Sequence, residues 1–194
     1  MLYATVGLAR CGKSSFADGW SSVLAKRTVI SGDDIRLALT GQRFNPAAEP
    51  MVQSIKCCAI RSLLLLNFTV LHDGTNTSMN SVVNLEKLVE SVFDKVVWVI
   101  FNTPKDVCQN EAIKSNQEDL IEVIERMNKN FQPTTSYLVD KYKGDGAIII
   151  PRSRIRYNNI MHIKDKNKNI TLTVTDGYDT ITRNTNIILV DYFS

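Results

Sequence analysis

No run in this 194-residue sequence approaches the roughly 18 consecutive apolar residues that span a bilayer, and Met1-Leu2-Tyr3-Ala4-Thr5-Val6 lacks the basic start of a secretion signal. These absences point to a soluble, cytoplasmic protein. The four cysteines, at 11, 57, 58 and 108, have no metal-ligand spacing, and adjacent Cys57-Cys58 is a poor framework for structural bridges. Such usage fits a reducing compartment. There is no internal repeat and no low-complexity tract. Charge excess is small, +3 overall, and residues 1–150 balance with 16 basic and 16 acidic residues. The excess is local: residues 151–170 hold six basic residues and one acid, while 171–194 hold one basic residue and three acids.

What is present is a packed-core composition, 44% hydrophobic, over a length that suits one main domain with an appendage. Leu2 to Val6 is a short apolar strand run, and Lys13 to Lys26 carries Phe16, Ala17, Trp20, Val23 and Leu24 at helical spacing. Thr28-Val29-Ile30 is a second strand, leading through Ser31-Gly32-Asp33-Asp34 into a helix. Pro46 suits the first turn of a long helix, Asn67 to Leu71 is a third strand, and about Val82 to Phe93 a further helix. Val96 to Phe101 suits a strand buried on both faces, and Thr103-Pro104 suits a helix cap. Alternation of this kind predicts an α/β fold, a parallel sheet flanked by helices whose ligands bind at the carboxyl ends of the strands. Polar residues from Lys114 to Asp119 suit a mobile lid, and Gly144 suits the end of the last core helix. Beyond it Ala147–Ile150, Ile155–Ile163, Ile170–Thr175 and Asn186–Tyr192 read as strands, with Asp176-Gly177 as a turn signal. The expected division is residues 1–144 as the α/β domain and 145–194 as a small β-rich, basic extension.

Gly7-Leu8-Ala9-Arg10-Cys11-Gly12-Lys13-Ser14 falls between the first strand and the first helix. It has the full spacing of a P-loop, in which backbone N–H groups cradle phosphates. Lys13 then reaches the β- and γ-phosphates, and the Ser14 hydroxyl, followed by Ser15, is placed to ligate Mg²⁺. ATP and Mg²⁺ are therefore the expected cofactors. Cys11 is either a reactive thiol or a bystander.

A bound triphosphate does not choose among switch, motor and kinase. Asn128-Lys129-Asn130 is followed by Phe131, so the guanine-specificity signal Asn-Lys-x-Asp is missing. No apolar strand ends in the paired Asp-Glu of water-activating ATPases. Asp33-Asp34-Ile35-Arg36 offers a carboxylate to take a hydroxyl proton and a guanidinium to hold an acceptor phosphate. The plainer alternative is a helix cap with a surface ion pair.

Together the loop, the Asp33 to Arg36 segment and Asp73-Gly74-Thr75-Asn76 resemble the bacteriophage-type 5′-hydroxyl polynucleotide kinases and their bacterial kinase-domain relatives, over about residues 1–143. A weaker match is the lid followed by Leu120 to Met127. The resemblance implies ATP-dependent phosphorylation of a nucleic-acid 5′-hydroxyl, with Asp33 as general base, Arg36 on the phosphate 3′ to the attacked sugar, and Lys13 with Ser14 at ATP-Mg²⁺. It also implies a bacterial or phage-infected cell. Asp73 matches an aspartate near the family's active site, where it supports Mg²⁺ or fixes a basic side chain; a turn aspartate ahead of Gly74 is the alternative. The family presents two lid arginines four residues apart, where this chain has Asn110 and Lys114. Lysine supplies charge without the bidentate fork, so either Lys114 alone serves as the catalytic cation, or a basic residue of the extension substitutes, or the activity is weaker or altered.

Arg152, Arg154 and Arg156 alternate, as do Lys164, Lys166 and Lys168, which suits either a nucleic-acid backbone or protective charge on edge strands. Exposed strand edges there also allow a homo-oligomer. Other readings are a kinase of nucleosides or nucleotides, a kinase of hydroxymethylated bases in DNA, and a non-catalytic or ATP-hydrolysing regulatory module.

Overall fold

The computed structural model describes residues 1–18, 20, 26–42, 45–142, 148–151, 160–164, 166, 169–175 and 180–192. β1 (Leu2–Val6) is buried at every position and β4 (Val96–Asn102) at all but its last. Unbroken apolar runs of this sort suit the centre of a parallel sheet covered on both faces. The two strands lie there in parallel, from Leu2 opposite Val96 to Val6 opposite Ile100. β3 (Thr69–Asp73) pairs with the other side of β1, and β2 (Arg27–Ser31) pairs with β3, with Ser31 opposite Asp73. The carboxyl ends of the strands therefore face one way.

Helices cover the sheet. In α1 (Lys13–Asp18) Phe16 is buried, its ring 5.8 Å from that of Phe101, and beyond the described helix Trp20 packs edge-on against Tyr3 at 4.8 Å. α2 (Gly32–Thr40) starts at Ser31, whose hydroxyl accepts from the Asp34 N–H, and stops at Gly41, whose left-handed φ of 68° ends the ladder. Pro46 opens a short 3₁₀ turn, and the long α3 (Glu49–Leu65) begins three residues later than Pro46 suggests. α4 (Met79–Glu90) is capped by Ser78. α5 (Lys105–Lys114) and α6 (Leu120–Tyr142) follow β4. Buried Ile124, Phe131 and Leu138 recur every seven residues along α6, and the Thr134 hydroxyl donates to the Thr77 carbonyl at 2.9 Å. No described helix is long and apolar enough to cross a membrane.

The expected α/β architecture is present, but residues 145–194 are shared between two sheets. β5 (Ile148–Pro151) and β9 (Ile187–Asp191) extend the parallel sheet, giving the order β2-β3-β1-β4-β9-β5. Only β6 (Ile160–Lys164), β7 (Ile170–Thr175) and β8 (Thr180–Arg183) form the separate antiparallel sheet. The division expected at residue 144 thus runs before two strands of the main sheet. Local pattern marks 187–191 as a strand, whereas pairing with β4 is a contact between distant parts of the chain. Ile187, Ile188 and Val190 are buried there, and the Asn186 amide donates to the Val96 carbonyl at 3.0 Å. Gly144 and Asp176-Gly177 lie outside the described residues.

Fully buried Ile188 is opposite Val99 on one side and Ile148 on the other. Ile188→Ala is expected to destabilise the protein by about 2–4 kcal/mol in denaturant titration. A loss below about 0.5 kcal/mol, typical of surface substitutions, would place β9 outside the core.

Candidate active site

The loop after β1 is shaped by its glycines. A Cβ at Gly7 would sit 2.6 Å from Cys11 Sγ and 3.1 Å from Phe101 Cβ, and Gly12 takes φ 104°. Arg10 also lies in the left-handed region, at φ 65°, where a non-glycine residue carries strain of about 1–2 kcal/mol. Two bonds fix the loop to neighbouring strand ends. The Gly7 N–H donates to the Thr75 carbonyl at 2.9 Å, and the Thr103 hydroxyl donates to the Cys11 carbonyl at 3.1 Å. Thr103 is therefore a loop support rather than a cap: the residue at the cap of α5 is Pro104, with no side-chain cap bond. The buried Lys13 ammonium donates to the carbonyls of Gly7 at 3.2 Å and Leu8 at 2.5 Å, and to Cys11 Sγ at 3.4 Å. Phosphate oxygens at the loop would compete with these acceptors for the same charge. Cys11 is fully buried, which favours the bystander reading of its thiol.

Ser14, the second residue of α1, donates its hydroxyl to Asp73 Oδ2 at 3.0 Å. Burial raises the Asp73 carboxyl above its ordinary pKa; Lys13 and the Ser14 bond oppose the rise, and Asp33 and Asp34 add to it. Ser31 is opposite Asp73 in the sheet, so Asp33 and Asp34 follow at the same carboxyl edge as the loop. A hydroxyl and a carboxylate oxygen are the hard donors that Mg²⁺ accepts. No cluster of three His, Cys, Asp or Glu side chains among the described residues forms a metal cage. The ion would be held by Ser14 and Asp73 with phosphate and water oxygens, as suits Mg²⁺.

On the other flank, Arg36 is held by two carboxylates. Its Nε and Nη2 donate to Glu49 Oε1 and Oε2 at 2.5 and 3.2 Å, and its Nη1 to Asp33 Oδ1. The Arg36 pKa is raised first by the Glu49 hydrogen bond. Three of the five guanidinium N–H groups are thereby used and two remain. Asp33 is the exposed partner, with 84% of its side chain accessible, and Ser31 rather than Asp33 caps the helix. Of the plainer alternative for this segment, the ion pair is present and the Asp33 cap is not. Nothing in the sequence marks Glu49, which is 13 residues from Arg36 and reaches it because α2 packs on α3. Half-buried Lys56 also went unmarked. Burial lowers its pKa, and Arg36, Glu49 and the imidazole of His72 are near enough to interact electrostatically.

Lys114 is exposed and paired with Glu111 at 2.9 Å. Asn110 is exposed on the same helix. Among the described residues no hydrogen bond or ion pair joins Lys114 to the loop, Asp33 or Asp73. The polar segment after it is a compact turn, with Gln117 N–H on the Ala112 carbonyl, Leu120 N–H on the Gln117 carbonyl, and Lys105 tied to Glu125 at 2.9 Å between α5 and α6. Ser15 is exposed beside Ser14. Arg152, Arg154, Arg156 and Lys168 lie outside the described residues, and Lys166 is exposed.

No protein-family model matches the chain, and no curated protein sequence does. Among solved structures, a chain of a Pnkp1/Rnl/Hen1 RNA repair complex is similar over 92% of this chain, with a TM-score of 0.62 and 18% identity; the match spans 59% of that chain. A chain of a Pnkp1/Rnl/Hen1 complex is similar over 56% of this chain, with a TM-score of 0.51 and 24% identity, spanning 38% of its own length. The Mycobacterium tuberculosis APS kinase CysC, in complex with AMPPNP and APS, has a TM-score of 0.48 and 19% identity, over 59% of this chain and 69% of its own. The first two likenesses establish the shared P-loop α/β fold.

Buried His72 sits beside Asp73, with Nδ1 3.2 Å from the Ile30 carbonyl. Burial, then Lys56, lower its pKa to about 4, against the Ile30 and Asn76 hydrogen bonds that raise it. The folded value lies below the unfolded value of about 6.5, so the unfolded chain binds the extra proton between them. The His72 contribution is complete above about pH 6.5 and is lost as pH falls toward 4, by about 3 kcal/mol in total. Denaturant titrations from pH 7 to 4.5 are expected to show this fall in the wild type and a shallower one in His72→Gln. Equal slopes would contradict a buried neutral imidazole.

Proposed function

We propose that this chain is an ATP-dependent kinase that phosphorylates a hydroxyl of a nucleic acid, in particular the 5′-hydroxyl of a polynucleotide. One observation carries the reading: Ser31 is opposite Asp73, so the Asp33–Arg36–Glu49 cluster follows from the strand edge at which Ser14 meets Asp73. A P-loop fold supplies the phosphate side of such a reaction; a carboxylate beside an oriented guanidinium suits its acceptor side. The likeness to chains of Pnkp1/Rnl/Hen1 complexes, one of them an RNA repair complex, agrees with this choice.

ATP with Mg²⁺ supplies the phosphoryl group. In this reading Lys13 and the loop N–H groups bind its phosphates, and Ser14 with Asp73 holds the Mg²⁺. The exposed Asp33 carboxylate takes the proton of the attacking hydroxyl. Arg36, fixed by Glu49, offers its two remaining N–H groups to a phosphate of the acceptor. Lys114 would have to leave Glu111 to reach the transferred group. Arg152, Arg154 and Arg156 are assigned to the nucleic-acid backbone, with self-association through the C-terminal strands as a further assignment. The division at residue 144 is kept as a functional one, between catalysis and substrate capture.

Asp33→Asn is expected to lower kcat for an oligonucleotide acceptor by about 10²–10⁴-fold. ATP affinity should stay near the wild-type value, because Asp33 is not assigned to the triphosphate. Steady-state kinetics with a nucleotide-binding titration check both. Unchanged turnover with intact ATP hydrolysis would favour the regulatory-module reading, and preferential labelling of mononucleotides would favour a nucleotide kinase.

A further inference from the structure

The loop places a cation where its backbone would run more easily with glycine. Arg10 takes φ 65°, a conformation that glycine reaches at no steric cost and arginine reaches under strain. The Cys11 N–H to Leu8 carbonyl bond at 3.3 Å closes the turn around Arg10, but the side chain itself has no partner among the described residues. Arg10 Nε is buried without a hydrogen-bond partner, and no ion pair among the described residues includes this side chain. A half-buried guanidinium in this condition is stabilised by an anion, and it sits within the segment whose backbone is spaced for phosphates. Arg36 is held by Glu49 and Asp33, and its two remaining N–H groups are already assigned to the acceptor. On α5, Asn110 has no charge, and Lys114 is exposed and paired with Glu111.

We propose that Arg10 is a phosphate-binding residue whose guanidinium engages the phosphate chain of the bound nucleotide, providing the planar fork that Asn110 and Lys114 do not. The assignment rests on the nucleotide-binding reading of the loop and is independent of which hydroxyl is the acceptor. It accounts for the position of the charge, because an arginine carried on the loop needs no lid movement to meet the phosphates. It also gives the strained backbone a function: arginine adds a charged fork where glycine would present only an N–H.

The test uses the full chain and two variants, Arg10→Gly and Arg10→Gln, titrated with ATP, ADP and AMP in the presence of Mg²⁺, alongside thermal unfolding. Arg10→Gly removes charge and strain together, so its Tm should rise by about 2–4 °C while its Kd for ATP rises about 10- to 100-fold. Arg10→Gln removes the charge and leaves the strain, so it should show a similar loss of ATP affinity with little change in Tm. AMP binding should change far less than ATP binding in both, and added salt should narrow the gap between wild type and variants. Wild-type affinity for ATP and ADP in Arg10→Gln overturns the assignment, whatever Arg10→Gly does to folding. An equal loss for AMP overturns it too, because the effect would then not follow the phosphate chain. A wild-type protein that binds no ATP would remove the nucleotide-binding reading itself, and with it the role given to Arg10. Wild-type ATP binding with unaffected variants removes only Arg10.

Discussion

The hydrogen bond from the Ser14 hydroxyl to the Asp73 carboxylate joins the two halves of the proposed chemistry. It exists because β1 and β3 are parallel neighbours, so the loop that leaves β1 and the aspartate that ends β3 emerge at one edge. β2 lies next to β3 with Ser31 opposite Asp73, which delivers Asp33 to the same edge two residues later. A strand order that separated any of these three would disperse the cleft. The buried β1 and β4 hold the arrangement from beneath, since neither can shift by one residue without turning its side chains to the opposite face of the sheet.

Charge is the second organising constraint. Asp33 and Glu49 hold Arg36, while Lys13, on loop carbonyls and Cys11 Sγ, opposes the rise that burial, Asp33 and Asp34 give the Asp73 carboxyl. Repulsion among the carboxylates favours a divalent cation near Ser14 and Asp73. Arg36 has lost freedom rather than reach: Glu49 grips one edge of its guanidinium and leaves two N–H groups. That arrangement suits orientation of an acceptor better than a mobile arginine does, because its conformational entropy is already lost.

Much of this is legible in the amino-acid sequence, and the physical reason differs by element. The loop is local: glycine spacing, a lysine and a serine set its geometry within eight residues, between a strand and a helix that their own periodicity defines. β1, β4 and the order of helices and strands were legible for the same reason. Asp33 and Arg36 could be paired from helical spacing alone, and the structure pairs them. Glu49 could not, because its approach depends on how α2 packs on α3 through a turn opened by Pro46. Thr103 reads locally as a cap, yet its hydroxyl is used 92 residues away on Cys11. The polar residues after Lys114 have the composition of a lid, but backbone bonds of the α5 and α6 ends close them into a turn. β9 shows the same limit on a larger scale. Its apolar run announces a strand, and only pairing with β4, 89 residues earlier, determines the sheet to which it belongs.

The central claim is that the cleft moves phosphate from ATP to a nucleic-acid hydroxyl. The most direct measurement incubates the protein with γ-labelled ATP, Mg²⁺ and two oligonucleotides of one sequence, one ending in a 5′-hydroxyl and the other already 5′-phosphorylated. Label confined to the 5′ end of the first is the result this account predicts. No label on either, from a protein that binds ATP, would contradict it.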